Sequence, residues 1–316
     1  MSLKKSLDRL LHETTETEIA VRYEGSNICT WIGFKHVNYV VEEAVLRHFR
    51  RSGLAARELY ERHALGVELV DLDTRIFTAL HMDDEAHATV TAEGDAEGLR
   101  FTVRLAVDRD GKRTRAVTAK VKVLLRRDDD AGDAEPAEAL EQWTVDALHA
   151  GHVLDLPEID PAGDVLAQVV EGRNAFAWKW RIPYMYCHFT ERVQMSGYLR
   201  QMEEVVDLFL ADRGISIKTL LDDRSWIPVV PHSRVRLLEE ALMEEELYTV
   251  YTVENVFKTA TYTSRMDCFV IRDGAVVPVA TGTIIHGYAT IDSRRDWSLV
   301  DFDDRVLQAL NGTARR

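Results

Sequence analysis

The sequence predicts an α+β protein made of two tandem units, each a central helix wrapped by an antiparallel β-sheet, so that one chain forms a pseudo-dimer. Three observations predict it. The second half repeats the first at a shift of 161 residues, each half carries one amphipathic helix that stops at a glycine, and each half goes on in alternating strands joined at an Asp-Gly pair.

The repeat fixes the register of everything else. A shift of 161 places Glu42 and Glu43 on Glu203 and Glu204, Val45 on Val206, Gly53 on Gly214, Arg75 on Arg236 and Met82 on Met243. Farther on a shift of 163 aligns Asp110-Gly111 with Asp273-Gly274 and RAVTAKVKV with PVATGTIIH, so one two-residue indel intervenes.

In the first half Val41, Ala44, Val45, His48 and Phe49 follow helical spacing, and in the second Met202, Val205, Val206, Phe209 and Leu210 do the same. Gly53 and Gly214 stand where a helix commonly ends in a left-handed residue. Only strands are expected after each helix. Phe101, Val103, Leu105 and Val107 alternate with polar positions before the first Asp-Gly, and Tyr262, Ser264, Met266, Cys268 and Val270 do so before the second. Both predict hairpins closed by type I′ turns. The acidic stretch RRDDDAGDAEPAEALEQW marks an exposed boundary. The predicted division is 1–136 for the first unit, 137–172 for an acidic linker with a connecting helix, and 173–316 for the second.

At 316 residues and 46% hydrophobic, the chain can bury one large core or two smaller ones. A net charge of −14 argues against nucleic acid as a partner. No apolar run approaches the roughly 18 residues of a membrane span, and the opening MSLKKSLDRLLHETTETE turns polar too early for a secretory leader, so a cytoplasmic protein is expected. Cys29, Cys187 and Cys268 are widely spaced without a CxxC, which suits free thiols and no metal site.

The candidate chemistry centres on HFTERVQMSGYLRQMEE, His188 to Glu204, and on its counterpart in SNICTWIGFKHVNYVVEEA. A loop entering a hydrophobic helix that ends at Gly, then strands with a basic residue nine positions before an acidic turn (Arg75 to Asp84, Arg236 to Glu245), resembles the hotdog fold over nearly the whole chain, as a double hotdog. The resemblance implies an enzyme acting on acyl thioesters of coenzyme A or of an acyl carrier protein, with no cofactor of its own. A homodimer of such chains is a further partner expectation.

Two branches of the family compare with the motif. Hydroxyacyl carrier-protein dehydratases carry HFPxxPxxPG and a helix Glu about fourteen residues after the His, whereas here HFTERVQMSG lacks both the Pro after HF and the Pro before Gly, and Glu203 lies fifteen residues on. Hydroxybenzoyl-CoA-type thioesterases have an Asp where His188 falls, then a Tyr and a helix carboxylate, a frame that Tyr198 and Glu203 fit. In the first half that position is Asn27, similar to hotdog thioesterases of polyketide pathways that use an Asn there. KHVNY resembles the HVNN of acyl-carrier-protein thioesterases, whose His is catalytic, although the repeat sets His36 opposite Gly197.

The resemblance sets the pre-helix loop of one unit against the helix of the other, so that His188 would face Glu42 and Asn27 would face Glu203. His188 is the expected working copy, a general base with a reference pKa of about 6.5. The amides around Gly197 at a helix N-terminus would hold the oxyanion. Arg47, Arg50, Arg51 and Arg57 form a basic cluster near the end of the first helix, suited to the phosphate of a pantetheine arm or to an acidic carrier protein. Thioester hydrolysis is the first expectation, dehydration of a β-hydroxyacyl thioester with Glu42 as acid the second, and non-catalytic acyl-thioester binding the third.

Overall fold

A computed structural model describes residues 2–93, 98–149, 151, 152, 154–292 and 297–312. The chain divides into two compact units, Met1–Leu148 and His149–Arg316.

The first unit runs α1 (Leu3–His12), β1 (Thr15–Ala20), α2 (Phe34–Ser52), α3 (Ala56–His63), β2 (Leu65–Ile76), β3 (Glu85–Glu93), β4 (Leu99–Arg109), β5 (Lys112–Arg127) and β6 (Thr144–Val145). Its sheet order is β1-β3-β4-β5-β2, with β6 parallel to the end of β5. The second unit runs α4 (Val165–Val170), β7 (Ala175–Arg181), α5 (Met195–Asp212), α6 (Ile217–Arg224), β8 (Trp226–Leu237), β9 (Glu246–Phe257), β10 (Thr261–Arg272), β11 (Ala275–Ile291), β12 (Trp297–Val300) and α7 (Asp304–Leu310). Its sheet order is β7-β9-β10-β11-β8, with β12 on β11. Within its own unit each sheet repeats the other strand for strand, as the shift of 161 and then 163 requires.

The helices form where the apolar stripe says. Val41, Ala44, Val45 and Phe49 of α2, like Met202, Val205, Phe209 and Leu210 of α5, are fully buried against the sheet of their own unit. Burying one such large side chain stabilises by about 1.5–3 kcal/mol. Gly53 (φ 86°) and Gly214 (φ 69°) end the helices in the left-handed region, and the N–H groups of Leu54 and Ile215 close back on Phe49 and Leu210. Both predicted type I′ turns are present, with positive φ at Asp110 and Gly111 and at Asp273 and Gly274.

One expectation fails. The helices are not followed only by strands, because α3 and α6 intervene at matching positions. Each has only eight residues and one fully buried apolar side chain, Leu59 or Leu220, a span too short for the apolar spacing to repeat. α6 is started by the Ser216 hydroxyl accepting from the Thr219 N–H.

The acidic turns predicted after β2 and β8 are clamped by an arginine that local spacing does not reveal. Asp84 pairs with Arg109 and accepts the His81 N–H, and Arg109 reaches the Ala79 carbonyl. At the matching place Glu245 pairs with Arg272 through two bonds of 2.6 and 2.8 Å and accepts the Leu242 N–H at 2.7 Å, while Arg272 donates to the Glu240 carbonyl. Burial opposes ionisation of Glu245, but Arg272 and the Leu242 N–H outweigh it and hold its carboxyl below the usual range. Glu245→Ala should therefore cost about 2 kcal/mol, read as a lower urea midpoint, and the loss should be non-additive with Arg272→Met. Independent, additive effects would show that the pair does not act as one clamp.

Candidate functional site

His188 lies at the turn that leads into α5. β7 ends at Arg181, Ile182 is buried, and a 3₁₀ turn at Tyr184–Tyr186 brings the chain to a bridge between Cys187 and Val193. Between them His188 begins a tight turn: its N–H donates to the Arg192 carbonyl at 2.6 Å, and its own carbonyl accepts from the Glu191 N–H at 3.1 Å. Glu191 takes φ 63° to close it. The imidazole of His188 is half-buried, with its ring 4.5 Å from that of Phe189. Phe189 is exposed, as are Tyr184 and Met185 of the preceding 3₁₀ turn.

Asn27 occupies the same turn in the first unit. Its N–H donates to the Trp31 carbonyl at 2.9 Å, inside a bridge between Ser26 and Ile32. Its side-chain oxygen accepts the Cys29 N–H at 3.0 Å, so the amide holds the turn.

His36 and Gly197, paired by the repeat, have complementary packing roles. In the first unit the loop contributes Gly25 and the helix His36; a Cβ on Gly25 would lie 2.7 Å from the His36 Cβ. In the second unit the loop contributes Tyr186 and the helix Gly197, whose added Cβ would lie 2.6 Å from the Tyr186 carbonyl oxygen. Loop and helix approach closely in both, with the glycine on opposite sides of the contact. His36 is buried, edge-on to Tyr39 at 5.1 Å and 3.8 Å from Glu24. The Gly197 N–H donates to the Gln194 carbonyl at 2.9 Å.

The two helix carboxylates differ. Glu203 is exposed on α5, and its neighbour Glu204 accepts from the Tyr186 hydroxyl at 3.2 Å. Glu42 is half-buried on α2; burial, then the charges of Glu43 and Glu68, push its carboxyl up to about 7. Glu68, buried in β2, was not visible as part of this environment from sequence.

Tyr198, one turn into α5, is fully buried, and burial followed by the neighbouring Cys268 and Glu245 pushes its phenol well up, so it stays protonated. Cys187 is no ready nucleophile, since burial and then Glu191 push its thiol up to about 11.

The basic cluster is partly engaged in the fold. Arg47 pairs with Glu43 and donates to the Glu18 carbonyl, and Arg51 donates to the Glu16 carbonyl, which ties the end of α2 to β1. Arg50 is exposed. Arg57 pairs with Glu61. Among the described residues no group of three His, Cys, Asp or Glu could hold a metal, and no helix is long and apolar enough to cross a membrane.

Two units with this strand order, each with a long helix behind a tight loop, have known counterparts. Residues 179–310 match the family model of the thioesterase-like superfamily. The chain carries the hotdog fold, twice. It is similar to a protein described as an oleoyl thioesterase from Lactobacillus plantarum (TM-score 0.58, 10% identity, 89% of this chain and 97% of that one). It also resembles the 12:0-ACP thioesterase from Umbellularia californica (TM-score 0.55, 11% identity, 86% and 93%). A third counterpart is an acyl-ACP thioesterase from Bacteroides thetaiotaomicron (TM-score 0.51, 12% identity, 90% and 100%). No curated protein matches the sequence. In this double hotdog, the family match falls on the unit that carries His188.

Proposed function

We propose that this double hotdog is a hydrolase of acyl thioesters, with His188 as general base. The observation that carries the reading is the position of His188, at the loop turn entering α5 in the unit that matches the thioesterase-like superfamily. A neutral imidazole there can take a proton from water as it attacks the thioester carbonyl. The first turn of α5 contributes its positive dipole end to the developing oxyanion. In the first unit Glu42 is the carboxyl suited to exchange protons at working pH, since its pKa is pushed up to about 7. The exposed Tyr184, Met185 and Phe189 suit the approach of an apolar acyl chain.

Carrier and acyl group are tested together. Incubation with acyl-CoA and acyl carrier-protein thioesters of several chain lengths should release free thiol. Loss of one water with the thioester intact would instead assign a dehydratase. Absence of both, with binding retained, would leave a carrier-binding protein.

A further inference from the structure

The interiors of the two units differ in a way that neither fold nor catalysis requires. At five buried positions of its sheet, the first unit has Val90, Leu99, Phe101, Val123 and Leu125, all at most 1% exposed. The register-matched residues of the second unit are Tyr251, Tyr262, Ser264, His286 and Tyr288, all at most 2% exposed. Pairing within each sheet confirms the match: Leu99 opposes Val123 as Tyr262 opposes His286, and Leu125 opposes Val67 as Tyr288 opposes Pro228.

The four hydroxyls have only one another to face, Tyr251 toward Ser264 and Tyr262, and Tyr262 toward Tyr288, in contacts short of good hydrogen-bond geometry, and the His286 Nδ1 has no partner among the described residues. The tyrosine hydroxyls lie close enough to affect one another's ionisation, and Tyr262 stacks on His286 at 5.1 Å. Buried polar groups that meet only one another in poor geometry are costly, and this unit sets five of them where its counterpart has apolar side chains. The cluster is also electrically neutral, because burial pushes the tyrosines up and His286 down to about 3. A charged carboxylate or phosphate would find no counter-ion among these five groups.

The polar band extends toward the loop. Gln201 donates to Thr249 at 2.6 Å, and Thr249 lies 3.7 Å from the Cys268 sulfur; the first unit has Val40, Ala88 and Leu105 at these places. At the far end Phe209 packs on Tyr251, and Phe302 lies 5.7 Å from Tyr288. From Gly197 to Phe209 the helix covers roughly 18 Å at 1.5 Å per residue.

The geometry points to a binding chamber in the second unit, between α5 and its sheet, for the neutral, oxygen-bearing part of an acyl chain, a hydroxyl or ketone on an otherwise apolar body. This rests on the thioester reading and specifies its substrate class. The chamber's hydroxyls donate to and accept from such an oxygen, and the surrounding rings cover the rest of the chain.

The test is direct binding, which needs no turnover. Calorimetry would compare dodecanoyl-pantetheine amide with amides carrying one hydroxyl or keto group at successive carbons. At least one oxygenated member should bind about tenfold or more tighter than the plain amide. Tyr262→Phe and Tyr288→Phe should erase that advantage, bringing the oxygenated amides down to the affinity of the plain one. Equal affinity across the series, or an advantage that survives both substitutions, would overturn the chamber and leave the cluster to buried water. Oxygenated amides that bind selectively without any thioester being cleaved would refute the hydrolase reading alone.

Discussion

Replacing His188 with alanine should lower kcat/KM for thioester hydrolysis by roughly a hundred- to ten-thousand-fold, the usual contribution of a positioned general base. The turn itself should survive, because the backbone bonds from residue 188 to Arg192 and Glu191 do not use the imidazole. His188→Asn is the sharper variant, since it installs the residue that the first unit keeps at the same turn. In Asn27 that side chain accepts from the backbone two residues on, so the exchanged asparagine should hold the turn and lose the base. Asn27→Ala should act mainly on the local fold, and its loss of activity should be far smaller. Full activity in both His188 variants, with activity abolished in Asn27→Ala, would move the chemistry to the first unit.

The equivalence of Asn27 and His188 was legible because it follows from the gapless repeat, and both residues donate their N–H across the same turn. Helix ends were legible for a similar reason: Gly53 and Gly214 answer a backbone need that few other residues meet. The arginine clamps were not. Spacing drew attention to Arg75 and Arg236, yet Asp84 and Glu245 pair with Arg109 and Arg272, which lie more than twenty residues away and arrive by strand pairing. The tyrosine chamber was hidden differently, because alternation counts a buried tyrosine as apolar. Only setting Tyr251, Tyr262, Ser264, His286 and Tyr288 over Val90, Leu99, Phe101, Val123 and Leu125 exposes the oxygens as a difference.

Glu42 gives the second large effect, and its sign can be worked out. The folded carboxyl titrates near 7, against about 4.5 when solvated. Between these values the folded chain holds a proton that the unfolded chain has released, so stability falls as pH rises through that window and is level outside it. The full span corresponds to about 3 kcal/mol at 1.36 kcal/mol per unit. Glu42→Gln keeps the shape of the protonated acid and removes the titration. The variant should match the wild type near pH 4.5 and exceed it by up to about 3 kcal/mol at pH 8. Taking the difference between the two urea midpoints at each pH cancels the carboxylates that do not interact with Glu42. A difference that stays constant from pH 5 to 8 would mean that Glu42 titrates as an ordinary surface acid. If the carboxyl also exchanges protons during turnover, the same variant should lose activity while gaining stability, the opposite of what a damaged fold would do. Unchanged activity and pH profile would confine Glu42 to the packing of α2.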